Sequence, residues 1–577
     1  MGRMTARRTD YRYRTRAADQ RSEGQQTPKR RPRARTRLRP ASLLLLVLVA
    51  MVGLAIFAGA RVLGPERDRG NDRTPDATST GDPSASPREP VPTPAEEGLD
   101  LAIPSYLGTE TRRTYGDGKA PEKLDLIWKV KIGSGLTARK SDSRLVTWAG
   151  TGWTGQPTLV IENGVPYLLI GGYDHGLRRI DARSGTVVWR AGFDDVIKGT
   201  NTVYFDPRRP RGDRTVVVSG SRRGNGLDIG DPRIAPLRAV SFASGAELWR
   251  LPVPRTKNYS QDVDASPLWL DGRLIAALEP GYVVAIDPGV LSPGPDGHPR
   301  PSVVATSPLL YTPADVRARP DVGAANVAVE GSPAVLGDRI YVATGSGHVY
   351  GLNRVTLAIE WDFNPGGDFD STVTVTRDGR LLVGLEREYI KGHGGAFLLD
   401  PAKPPAEAVV WFFPTADRGI GEWQGGIVGS IAINDEYLPE DGGGRLAAFT
   451  SVDGNVYVVS VDETDGTAKG PDGKTAYPKP KLVFSDRIGG SISTPAFARG
   501  ALVAAGYDNR VHLYRIDYAA ASEGVAVTNA DGSSTSVGIR ETDTFEAGAA
   551  FESTPLVWGG RVYLGSRDGY LYCLGAK

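Results

Sequence analysis

Cysteine is nearly absent from this chain: Cys573 is the only one in 577 residues. A lone thiol excludes an intramolecular disulfide, a cysteine-cluster metal site and a Cys-x-x-Cys-His haem attachment. Histidine is also scarce, and the five present (His175, His298, His348, His393, His512) show no zinc-ligand spacing. His175 and His348 fall in a recurring turn slot and read as surface turn residues. His393 sits in Gly392-His-Gly-Gly395, a loop with no partner evident in sequence. There is no Gly-x-Ser-x-Gly nucleophile elbow and no complete phosphate-binding Gly-x-x-x-x-Gly-Lys-Ser/Thr loop. Cys573 lies in a strand-like run and reads as a buried, inert thiol.

Long apolar runs are missing too, with one exception. Ala41 through Ala60 carries no charge and has Leu43-Leu-Leu-Leu-Val-Leu-Val at its heart. About twenty such residues span a bilayer core as a helix, so residues 41–63 are expected to be a transmembrane helix. Arginines crowd the side before it (Arg30, Arg31, Arg33, Arg35, Arg37, Arg39), against only Asp10, Asp19 and Glu23. By the positive-inside rule residues 1–40 form a basic, disordered cytoplasmic arm, and the rest of the chain lies outside the cytoplasmic membrane. The arm is accounted for by this topology, and no nucleic-acid partner is expected. Ala58-Gly59-Ala60 has the form of a cleavage site. The run is nevertheless longer, and its basic flank far longer, than a signal peptide needs. Residues 64–100 are rich in Pro, Ser, Thr, Asp and Glu and are expected to be a disordered linker.

Glycine (72) and proline (42) are plentiful, which suits many short strands and turns. The composition is ordered by a phrase that recurs. Near the end it reads Ser553-Thr-Pro-Leu-Val-Trp-Gly-Gly-Arg-Val-Tyr-Leu-Gly-Ser-Arg-Asp568-Gly-Tyr-Leu-Tyr-Cys-Leu574. In mid-chain it reads Gly331-Ser-Pro-Ala-Val-Leu-Gly-Asp-Arg-Ile-Tyr-Val-Ala-Thr-Gly-Ser-Gly-His-Val-Tyr-Gly-Leu352. Self-similarity at several tens of residues marks a repeat architecture. A Ser/Thr-Pro opens a first strand, as at Ser266-Pro267, Ser332-Pro333, Thr494-Pro495 and Thr554-Pro555. Asp-Gly and Asn-Gly turns supply the positive φ of a tight hairpin. A tail such as Asp181-Ala-Arg-Ser-Gly-Thr-Val-Val-Trp189 then leads to a fourth strand. One unit is four antiparallel strands, a propeller blade. About eight units are countable between residues 156 and 574. The last stops after its third strand. The isolated strand 125–133, around Trp128, is expected to supply the missing one and close the ring. The expected fold is therefore all-β: an eight-bladed β-propeller over residues 120–577, preceded by a transmembrane helix and disordered segments.

The Asp-x-x-x-Gly-x-x-x-Trp tail and the Ser/Thr-Pro head resemble the PQQ-like repeat. That repeat builds quinoprotein alcohol dehydrogenases and non-catalytic relatives such as the lipoprotein propeller of the outer-membrane assembly machine. The resemblance implies that Trp128, Trp189, Trp249, Trp361 and Trp411 dock between neighbouring blades. Its enzymes hold Ca²⁺ with Glu, Asn and Asp beside PQQ, often under a Cys-Cys disulfide, and this chain has no Cys-Cys. Asp508-Asn509 sits in the hairpin turn slot instead of a ligand position.

Site candidates follow from the repeat. Asp264, Glu330 and Glu552 each stand two residues before the Ser or Thr of the head, and Asp370 is close to that register. If the first strands line the channel, these carboxylates converge at its mouth, where they would favour a hard cation or a cationic ligand. The inserts Pro207–Arg214, Arg222–Pro236 and Pro288–Pro320 are expected to be loops that carry partner contacts. The reading is a membrane-anchored, extracytoplasmic scaffold that binds envelope or membrane proteins or a ligand, with no cofactor expected and no catalytic residue assigned. A PQQ- and Ca²⁺-dependent oxidoreductase is the alternative.

Overall fold

Gly-containing turns between β-branched and aromatic runs fold each repeat into a four-stranded antiparallel meander, and eight such sheets form a β-propeller. The computed structural model describes residues 92–577, apart from 139–143, 225–226, 229, 257, 259, 310–314, 316–325, 422, 441, 521–523 and 530. The inner strands of blades 1 to 8 are Thr158–Glu162, Thr202–Phe205, Leu268–Leu270, Ala334–Leu336, Thr374–Val375, Ala432–Ile433, Ala496–Ala498 and Leu556–Trp558. In blade 8 the outermost strand is Asp125–Lys131, paired with Tyr570–Gly575 from Asp125↔Gly575 to Lys131↔Tyr570. The expected arm (1–40), helix (41–63) and most of the linker lie outside the described residues. Among the described residues, no helix is long and apolar enough to cross a membrane.

Two expectations need correction. The linker does not run to residue 100, because Leu99–Ile103 is a strand paired with the inner strand of blade 1. Leu99, Leu101 and Ile103 alternate with Asp100 and Ala102, and the ends of this strand, Leu99 and Ile103, are buried (8% and 0% exposed). The insert 288–320 is not all loop either. Pro299–Pro308 is the fourth strand of blade 3, in a long hairpin with Tyr282–Pro293.

The interfaces between blades explain the repeat's tail. The indole N–H donates to a carbonyl of the next blade: Trp128 to Ala182 (3.2 Å), Trp189 to Phe242 (2.8 Å), Trp361 to Lys403 (3.1 Å) and Trp411 to Val461 (3.0 Å). Trp249 is fully buried in the apolar cluster between blades 2 and 3. Trp128 and Trp189 need space on the neighbouring blade. Gly245, at φ +74°, supplies it, since a Cβ there would lie 2.8 Å from the Trp189 ring. Blade 4 shows the converse. In the blade before it, Ala305 holds the tryptophan register, opposite Ala285 and just ahead of a bulge. The glycine slot of blade 4 is then filled by Leu357 at φ 60°, which is buried in the same cluster as Ala305. Left-handed backbone is costly for leucine, and here the burial of the side chain offsets it.

Residues 104–118 form the structure's least repetitive part. They run across the ring's centre and bond to the inner edge of every blade. Backbone N–H groups of Val203, Val335, Val375, Arg499 and Val557 donate to the carbonyls of Pro104, Glu110, Thr111, Gly118 and Tyr115. Ile433 N–H donates to the Tyr115 hydroxyl. Leu107 N–H donates to Gln156 of blade 1, and Tyr106 N–H to Ser266 of blade 3. Inner strands present unpaired edges toward the channel, and this plug satisfies them. At its centre the fully buried Arg112 guanidinium donates to Pro333 O, Ser105 Oγ and Tyr106 O, each at 2.8 Å.

Candidate functional site

The Ser or Thr that opens each inner strand does more than precede a proline. Its hydroxyl accepts the backbone N–H of the corresponding residue one blade back: Ser266 to Ser332 (2.9 Å), Ser332 to Thr372 (2.8 Å), Thr372 to Ser430 (3.1 Å), Ser430 to Thr494 (2.7 Å) and Thr494 to Thr554 (3.3 Å). Gln156 and Thr200 continue the pattern between blades 1 and 2 (2.7 Å). A hydroxyl belt thus rings the channel. Tyr106 rises from the plug into it, its own hydroxyl 2.8 Å from Thr494 Oγ1. The result is a cup, floored by Tyr106 and walled by Trp153, Thr200, Asp264, Glu330, Ser332, Asp370, Thr372 and Ser430, of about 370 Å³ including its open mouth.

Three of the four candidate carboxylates, Asp264, Glu330 and Asp370, meet in this cup. Glu552 does not line it. It accepts from the Tyr507 hydroxyl (2.9 Å) and from Arg567 (3.2 Å) and belongs to a neighbouring network. In that network the Arg567 guanidinium also lies over the Tyr173 ring, 4.7 Å from its centroid.

Within the cup the carboxylates divide into two groups. Asp264 and Glu330 are joined by Glu279, which directly follows the second strand of blade 3, and all three offer oxygens within 4.8 Å of one another. The Lys198 ammonium sits among them, in contact with Asp264 and 3.8 Å from Glu279. It also lies over the Trp153 ring at 4.8 Å, and the Trp153 indole N–H donates to Glu330 Oε2 at 3.1 Å. Trp153 and Thr154 are consecutive non-glycine residues at φ 51° and 59°. Such backbone persists only when its surroundings hold it. The other face of this region meets Trp423, whose ring lies 5.9 Å from that of Trp153.

The second group is built on Asp370. Glu386, 4% exposed, hydrogen-bonds to it, and the Glu386 backbone bridges Asp368 and Gly426. Burial, then the charges of Asp370 and Asp368, push the Glu386 carboxyl well above the usual carboxylate range. The neutral form of Glu386 is therefore favoured on this side, where the first group holds an ammonium. Asn326 Nδ2 donates to Asp368 at 2.7 Å.

The donor set of the first group does not suit the Ca²⁺ that the repeat's resemblance implies, because a lysine already supplies the positive charge. Nor can a disulfide cover a quinone, since Cys573 is buried in a strand of blade 8. His348 is not a surface turn residue: it is buried, with Nδ1 2.6 Å from Asp362 and Nε2 3.2 Å from Asp315. Asn509 does lie in a turn, at φ 69° between two strands of blade 7. Sequence reasoning missed Lys198, Glu279, Glu386 and the plug. Lys198 follows Asp194-Asp195 in a connection without a motif. Glu279 and Glu386 each directly follow a strand whose place in its blade could be located only once the blades were paired.

No protein-family model matches the chain, and no curated protein matches it. Solved structures similar to it include BamB from Moraxella catarrhalis, at 14% identity and a TM-score of 0.42, covering 79% of this chain and 98% of that one. The computationally designed Ika8 protein is similar at 9% identity and a TM-score of 0.42, covering 79% and 99%. Quinohemoprotein alcohol dehydrogenase from Comamonas testosteroni is similar at 13% identity and a TM-score of 0.45, covering 82% of this chain and 81% of that one.

Proposed function

We propose that this chain is a membrane-tethered, extracytoplasmic binding scaffold that docks an envelope partner on the cup-bearing face of its ring. The observation that carries the reading is the plug. It bonds to the inner edge of all eight blades and leaves a cup open on one face, so a ligand meets hydroxyls and carboxylates from that side. Loops on a rigid ring are well placed to surround such a cup. The turns between second and third strands, with Tyr389 in blade 5 (41% exposed), share the cup's face. The turns between third and fourth strands, with Val355 (66% exposed), share the opposite one.

The test is photo-crosslinking in the full-length chain in its own membranes, with the reactive side chain at Tyr389 or at Val355. A discrete adduct from Tyr389 and none from Val355 is expected. Adducts from both alike, or from neither, would overturn the reading. So would retention of a chromophore and dye reduction when the full chain is supplied with PQQ and Ca²⁺. The placement outside the membrane is checked by protease added to intact cells, which should reach the propeller.

A further inference from the structure

Three carboxylate oxygens within 4.8 Å of one another have the spacing of a hard-cation cage, in which oxygens stand about 2.3–2.6 Å from the ion. In this chain the cage is closed by its own side chain. Lys198 (4% exposed) touches Asp264 (5%) and lies 3.8 Å from Glu279 (0%). Its backbone is held there by contact. Gly199 packs so closely on blade 3 that a Cβ would fall 1.8 Å from Asp264 O. Trp153 completes the seat, with its ring under the ammonium and its N–H on Glu330. The lysine brings one positive charge to this spot, where a divalent ion would bring two.

We infer that Lys198 is the resident cation of a divalent-ion cage: the native chain does not take Ca²⁺ at Asp264, Glu279 and Glu330, and loss of the ammonium turns these residues into a Ca²⁺ site. The inference concerns ion occupancy and does not depend on which partner the cup receives.

Terbium is the probe, because Trp153 bonds directly to a cage ligand and should sensitise its emission. The full-length chain, Lys198→Met and Lys198→Met/Asp264→Asn are titrated with Tb³⁺ and then competed with Ca²⁺. Lys198→Met should gain affinity by at least about tenfold, a difference of roughly 1.4 kcal/mol, and the gain should vanish with Asp264→Asn. Emission from the unsubstituted chain should be unchanged by Asp264→Asn. Asp264-dependent emission in the unsubstituted chain would overturn the inference, as would a Lys198→Met chain that binds no better. Should Lys198→Met not fold in buffer, it and Lys198→Gln are refolded with Ca²⁺ present. Recovery by the ion supports the cage, and failure of both variants in Ca²⁺ overturns it.

Discussion

The two carboxylate groups at the channel mouth face the same electrostatic problem and meet it differently. Asp264, Glu279 and Glu330 are neutralised in part by the Lys198 ammonium. Around Asp370, burial and the charges of Asp370 and Asp368 instead push the Glu386 carboxyl well above the usual carboxylate range, which favours its neutral form. Burying like charges together is expensive. A lysine lowers that cost at every pH where it is charged, whereas a retained proton does so only until solution takes it away. The blade 5 side of the cup is therefore expected to respond to pH through Glu386.

The largest effect should come from breaking the first arrangement. Lys198→Met leaves buried carboxylates facing one another, and removing one partner of a buried ion pair costs about 3–5 kcal/mol. Chemical denaturation in the absence of divalent ions checks it. Adding Asp264→Asn should return part of the loss, and strict additivity of the two changes would show that they are not coupled.

Next is the proton. Glu386 has a raised folded pKa, so the unfolded chain binds fewer protons between the two values and stability falls as pH rises through that window. The fall from this one group is at most about 1.4 kcal/mol per pH unit. Glu386→Gln cannot ionise, so it should be more stable than the parent at neutral and alkaline pH and should lose the advantage below the ordinary glutamate range. His512, between Asp508 and Glu541, also has a raised pKa and loses its contribution as pH rises. Only the difference between parent and variant isolates Glu386. A difference that does not change with pH would sink the retained proton.

Much of the ring was legible because propeller chemistry repeats. The Asp181–Trp189 tail marks blade interfaces through its tryptophan, which at Trp128 and Trp189 packs against a glycine of the next blade, and the heads mark inner strands. Ala305 and Leu357 show how one missing tryptophan propagates into its neighbour. The cup was only half legible. Asp264, Glu330 and Asp370 share a register with the heads, so their convergence could be argued from the repeat. Their charge state could not, because it is set by Lys198 and Glu386, which lie outside the repeated phrase and arrive only through the pairing of strands. The plug was invisible for a related reason: Tyr106 through Gly118 has no periodicity of its own and takes its conformation from the eight edges it caps.

A smaller change sharpens the comparison from the first side alone. Trp153→Phe keeps an aromatic face for Lys198 but deletes the N–H on Glu330, a loss of about 1.5–3 kcal/mol for a hydrogen bond to a charged group. Thermal unfolding measured across pH should show a nearly constant offset, because the proton at Glu386 is untouched. An offset that grew with pH would mean that the two groups titrate as one.

The smallest expected effect is at the floor both groups share. Tyr106→Phe removes a hydroxyl 2.8 Å from Thr494 Oγ1, while the belt's own N–H to hydroxyl bonds stay in place. A neutral hydrogen bond of this kind is worth about 0.5–1.5 kcal/mol. Because Tyr106 reaches blades 6, 7 and 8 through Ser430, Thr494 and Thr554, the loss should be independent of pH and should add to both Lys198→Met and Glu386→Gln. Additivity with both would make the floor a passive platform on which an ammonium and a proton act separately. Coupling to Glu386→Gln alone would instead place the tyrosine hydroxyl within the proton-holding group, and the pH response of the cup would then reach down to the plug.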